Sequence, residues 1–100
     1  MPRAEAATPA GVRRDGDALR FDGMLDRTAA GTLWPLALAL VAGVRRFELG
    51  AVDGVDSAGL ALLAELAARA GGPIAVVGDP PGLDALREAY RLDAGLGYAS

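Results

Sequence analysis

The sequence predicts a single α/β domain, a mixed sheet of about four to five strands with helices packed on it, in the order β-β-α-β-α-β-α. Three observations carry that prediction. The turn Asp15-Gly16-Asp17 joins two short segments suited to a hairpin. A run from Thr28 to Val44 contains no charged residue and has apolar side chains at helical spacing. The stretch Val52-Asp53-Gly54-Val55-Asp56-Ser57-Ala58-Gly59-Leu60 leads from a strand through a short acidic loop directly into an apolar helix.

The composition bounds what such a domain can be. One hundred residues, 52% of them hydrophobic, suffice to bury a core as one domain without disulfides or metal. Residues 1–9 read as a loose N-terminal tail, with an early glutamate and no apolar centre that would make them a signal peptide, and residues 10–100 as the domain. The absence of cysteine leaves the fold indifferent to redox compartment. A formal charge of -3, with no basic cluster larger than Arg13-Arg14 or Arg45-Arg46, lacks the footprint of a nucleic-acid binder.

Taken in order, Gly11 to Arg14 and Ala18 to Asp22 form the hairpin strands, with Leu19 and Phe21 on one face and Arg20 and Asp22 on the other. The uncharged run that follows is shorter than the roughly 20 residues of a membrane span and is interrupted by Gly31, Pro35 and Gly43. It reads as a helix capped by Thr32, with Pro35 in the first turn and Gly43 ending it. Leu33, Leu36, Ala37 and Leu40 make one stripe of this helix, and Trp34, Leu38 and Val41 a second. That is more apolar surface than one core-facing side uses, so part of the helix is expected to meet another chain. Trp34 has two readings, the edge of the core or an interface.

Val44 to Leu49 is the next strand, with Phe47 and Leu49 on one face. Asp56 or Ser57 caps the following helix, because a carboxylate or hydroxyl there accepts a hydrogen bond from an unpaired N–H of the first turn. Leu60, Leu63 and Ala67 face inward, flanked by Leu66, while Glu65 and Arg69 form an outer i,i+4 pair. Ala58, Ala61 and Leu62 offer a smooth patch beside the cap, or merely reflect alanine's helix propensity. Gly71-Gly72-Pro73 stops the helix, and Ile74-Ala75-Val76-Val77 reads as a strand buried on both faces. A last helix over residues 83–90 places Leu83, Leu86 and Tyr90 inward, and Leu92 and Leu96 fold the tail back.

Catalytic chemistry finds little to work with. Gly54-Val55-Asp56-Ser57-Ala58-Gly59 misses the nucleophile elbow by one residue, and without histidine or cysteine there is neither a triad base nor a thiol nucleophile. No P-loop or dinucleotide spacing occurs, and Glu48, Asp53 and Asp56 suit caps and solvated turns better than a Mg²⁺ site. No cofactor is expected, and the chain is not expected to be an enzyme.

At Asp56-Ser57-Ala58-Gly59-Leu60, preceded by Phe47-Glu48-Leu49 and followed by Leu62-Leu63, the chain resembles the STAS domain family of sulfate transporters and anti-sigma-factor antagonists. The Leu25-Asp26 turn, Trp34 and the run Val55-Asp56-Ser57-x-Gly59-Leu60-Ala61-Leu62-Leu63 are most similar to the stand-alone STAS subunit of the ABC transporter that maintains outer-membrane lipid asymmetry. The resemblance implies a non-catalytic cytoplasmic subunit that binds and stabilises or activates the ATPase of a phospholipid ABC transporter. Through that partner it would associate indirectly with an inner-membrane permease, without binding lipid itself. It places Trp34 and Ser57 against the ATPase. The expected docking face therefore comprises Trp34, the Asp56-Ser57 helix start with Gly59, and the Ala58, Ala61 and Leu62 patch.

The alternative is an anti-sigma-factor antagonist that binds an anti-sigma kinase. In those relatives the hydroxyl residue immediately before the motif glycine is phosphorylated, and here that position is Ala58. Ser57, one position earlier, is the remaining candidate phosphoacceptor.

Overall fold

Two helical crossovers carry the chain across one sheet. In the computed structural model, which describes residues 10–92 and residue 96, strands β1 (Gly11–Asp15) and β2 (Ala18–Leu25) form an antiparallel hairpin. Helix α1 (Arg27–Leu40) returns the chain to β3 (Arg46–Val55), parallel to β2. Helix α2 (Ser57–Arg69) repeats the move to β4 (Ala75–Val77), parallel to β3, and α3 (Leu83–Ala89) follows. Among the described residues the sheet therefore has four strands in the order β1-β2-β3-β4, and the predicted sequence of elements is the observed one. The expected tail over residues 1–9 lies outside the described residues.

The hairpin closes because Asp15 pairs with Ala18, leaving Gly16-Asp17 as a two-residue loop. Gly16 sits there at φ 63°, a conformation that costs glycine little. Alternation then sorts β2, with Leu19, Phe21 and Leu25 buried and Arg20, Asp22 and Met24 exposed. On β3, Phe47 and Leu49 continue the buried face, and Phe47 meets Phe21 edge to face at a centroid distance of 5.7 Å. Ala29, Leu33 and Ala37 of α1 and Leu60, Leu63 and Leu66 of α2 close the same core from one side.

The other face of the sheet is charged. Arg20 bridges Asp15 at 3.2 Å and Glu48 at 3.0 Å, while Arg46 bridges Asp17 at 2.6 Å and Glu48 at 2.8 Å. The hydrogen bond to Glu48 and the nearby Asp17 charge push the Arg46 guanidinium above its usual range, so it stays charged. Such exposed pairs add little stability, but they keep the uncovered face polar.

That one-sided coverage corrects the expectation for β4. Ile74 precedes the strand and is buried, and Val76 leans on the core, but Ala75 and Val77 pair beside Arg46 and Glu48 on the uncovered face, where Val77 is 49% exposed. Strand β3 is also longer than expected. What reads as a loop over residues 52–54 is paired with β2, through two register shifts that let ten residues of β3 follow eight of β2.

Helix α1 begins at Arg27, ahead of the expected Thr32 cap. Asp26 is the N-cap: its carboxylate accepts a hydrogen bond from the Ala29 N–H at 2.9 Å, and its carbonyl from the Ala30 N–H at 2.8 Å. Pro35 consequently lies inside the helix. The residue four positions earlier, whose carbonyl a proline ring crowds, is Gly31, and both sit on the exposed side. Gly43, two residues past the Val41 C-cap, takes φ 79° and turns the chain away from the helix axis, as expected. Arg14 adds a side-chain cap, with Nη1 donating to the carbonyls of Leu40 at 2.6 Å and Ala42 at 2.8 Å. Leu36 of the first predicted stripe, at 54% exposure, Leu38 of the second and Tyr90, which lies just past α3, also face out.

The cap assignment gives a direct prediction. Asp26→Ala should lower stability by about 1 kcal/mol, roughly 4–8 °C in melting temperature, whereas Thr32→Ala should leave it nearly unchanged. Thermal unfolding followed by circular dichroism checks both; an equal loss for the two variants would contradict the placement of the cap.

Candidate functional site

Strands β2 and β3 end in register, Leu25 beside Val55, so α1 and α2 start next to each other at one edge of the sheet. Both strand ends are followed by aspartate. Asp56 repeats what Asp26 does, its carboxylate accepting the Gly59 N–H at 2.9 Å and its carbonyl the Leu60 N–H at 2.9 Å. Of the two cap candidates at this helix, the carboxylate is thus the cap. Ser57 is the first helical residue and is exposed. The α2 start is therefore a carboxylate-capped end with an exposed serine beside it, not a hydroxyl-capped one.

Gly59 has a different task from its neighbours. The Asp56 N–H donates to the Leu25 carbonyl at 3.1 Å, and this draws the first turn of α2 onto the end of β2. A Cβ on Gly59 would run into that same Leu25 carbonyl oxygen. Gly59 is buried, so it sets the position of the helix and offers no surface to a partner.

Between the two helices lies an open apolar groove. Ala30, Gly31 and Trp34 form its α1 wall, and Ala58, Ala61 and Glu65 its α2 wall. Leu62, expected on the patch, is 4% exposed and forms the floor. The groove exists because four of its wall positions are glycine or alanine, which leave room between the helices. Pro35 has no N–H, so the Gly31 carbonyl lacks its i+4 donor at the groove wall.

Trp34 is half-buried, with one part packed on the core and the rest on the groove. Arg69 lies over its ring at 5.4 Å from the centroid, and Arg69 is paired in turn with Glu65 at 3.6 Å. The i,i+4 pair was legible in the sequence, but its contact with Trp34 was not, since the two residues belong to different helices. A second depression on the far side of α2 is lined by Ser57, Ala58, Ala61 and Tyr90 among others. Trp34, Ser57, Ala58 and Ala61 are therefore reachable from solvent around the N-terminal half of α2, with the Asp56 carboxylate engaged beneath them.

Two contributors to this region are not evident from sequence periodicity. The Asp26 cap had a usable signal, because Leu25-Asp26 repeats the apolar-aspartate strand exit of Val55-Asp56. Tyr90 had none, since helical spacing placed it inward. Glu48 is occupied by Arg20 and Arg46, and among the described residues no three acidic side chains gather into a metal site. Among the same residues no helix is long and apolar enough to cross a membrane.

Comparison with known proteins adds a family match. The family model described as "Mlab, STAS domain" matches residues 10–98. No curated protein matches the chain. Among solved structures that match, the one titled "Crystal Structure Analysis of Mglu" shares 27% identity over 70% of this chain, with a TM-score of 0.49. The match spans 19% of that longer chain.

Proposed function

Since the chain belongs to the STAS domain family of the Mlab type, we propose that it is a non-catalytic subunit that docks on the cytoplasmic ATPase of a phospholipid ABC transporter. The observation that carries this reading is the open groove between α1 and α2. An indole stands half-exposed on one wall of it, and Ser57 stands at the head of α2, whose first two turns carry no charge after the Asp56 cap. Tryptophan in such a setting supplies large contact area at small entropic cost, and small residues around it admit close approach. Leu38, 38% exposed and one turn beyond Trp34, extends the apolar surface along α1.

In this role the chain would lie at the cytoplasmic face of the inner membrane through its partner and would touch neither lipid nor nucleic acid. Docking can stabilise or activate the ATPase only by binding one of its conformations more tightly than another. The test is direct titration of the ATPase subunit with this chain. Ser57→Asp should weaken binding by at least about tenfold, because it adds a carboxylate beside Asp56 to a surface that loses water on docking. Unchanged affinity for that variant would remove Ser57 from the interface.

The alternative, an anti-sigma-factor antagonist, draws on the exposure of Ser57. A phosphate there would gain from the positive end of α2 and be repelled by Asp56. Intact mass after incubation with the cognate kinase separates the readings: a stable phosphate on Ser57 favours the antagonist.

A further inference from the structure

We propose that Arg69 is the positioning residue of the docking face, holding the Trp34 indole as a preset wall of the groove. This rests on the docking reading above. Three observations converge on it. The guanidinium lies 5.4 Å from the centre of the indole, within the range at which the ring's negative face attracts a cation. Arg69 ends α2 while Trp34 sits mid-way along α1, so the contact spans the groove's two walls. Glu65, itself on the groove, pairs with Arg69 at 3.6 Å and limits where the guanidinium can go.

The consequence is preorganisation. An indole free to sample several rotamers must surrender that freedom when a partner seats on it, and a guanidinium already placed over its ring removes part of that loss beforehand. Apparent affinity scales with the fraction of molecules whose indole is already in the competent position. Trp34 itself remains part of the groove lining, open to a partner. Lysine would keep the charge but not the planar, delocalised and weakly hydrated guanidinium, so it should substitute only in part.

The chain has a single tryptophan, so its fluorescence reports Trp34 alone. Loss of a surface cation–π contact should lower the stacked population by about two- to fivefold. In Arg69→Met, which keeps the length of the stem, acrylamide quenching of Trp34 should rise and its anisotropy should fall, and Arg69→Lys should recover part of both. Affinity for the purified ATPase subunit should weaken by the same factor as the stacked population in each variant. Unaltered quenching in Arg69→Met overturns the proposal, because Trp34 is then held by something else. Weaker binding with unaltered quenching also overturns it, making Arg69 a direct contact. Should the unaltered chain fail to bind the ATPase, the docking reading falls by itself, and the quenching series still decides whether Arg69 holds the indole.

Discussion

Gly59→Ala is expected to destabilise the domain by about 3 kcal/mol or more, the upper part of the range for overpacked sites, which is roughly 12–24 °C in melting temperature for a domain of this size. The magnitude follows from what stands in the way. The added methyl group would meet the Leu25 carbonyl oxygen and carbon together with the Leu25 Cβ. A side chain could swing aside, but a backbone carbonyl at the end of a paired strand cannot. Relief requires moving the first turn of α2 off β2. That movement breaks the Asp56 N–H bond to the Leu25 carbonyl and loosens the seats of Leu60 and Leu63. Gly72→Ala is the control, since a Cβ there meets open space and its φ lies outside the left-handed region. Urea or thermal unfolding of both variants checks the claim, and comparable melting of Gly59→Ala and Gly72→Ala would show that α2 does not rest on β2 as described.

The second large effect concerns binding. Trp34→Ala should weaken association with the ATPase subunit by at least about 30-fold, the signature of an interface hot spot. The indole contributes both the aromatic wall of the groove and the platform for Arg69, so its removal deletes contact area and leaves a guanidinium without its stacking partner. Because Trp34 also packs on the core, the variant will lose some stability. Circular dichroism at the temperature of the titration establishes that the folded fraction is unchanged. An affinity within about threefold of the parent in a fully folded variant would remove the α1/α2 groove from the docking surface.

Local chemistry explains which features were legible from residues alone. The hairpin at Gly16-Asp17, the alternation of Leu19 and Phe21 against Arg20 and Asp22, and the helical spacing of Leu60 and Leu63 with Leu66 at their flank each depend on neighbours within a few positions, while Ala67, expected inward with them, is only partly buried. The strand-to-helix switch at Asp56 was legible for the same reason, because a cap acts on the turn immediately after it. At Thr32, local preference misled. A threonine three residues before a proline has the form of a helix start, yet Asp26 lies beside Asp56 at the ends of two adjacent strands, and the helix begins where its strand stops. Pro35 could stay inside the helix because Gly31 and Pro35 are both on the exposed side.

By itself, then, the sequence determined the order of elements, the inward positions Leu19 and Phe21 of β2, Phe47 and Leu49 of β3 and Leu60 and Leu63 of α2, and the polar-capped start of α2, all set by interactions of short range along the chain. Only the tertiary structure decided that the sheet is covered on one face, which exposes Val77 beside the Arg20–Glu48–Arg46 ladder. It alone decided that Gly59 is a packing residue, that Leu62 is a floor, and that Arg69 rests on Trp34. The reason is physical: each of these facts depends on the separation of two elements in space, and side-chain periodicity within one element carries no information about what lies opposite it.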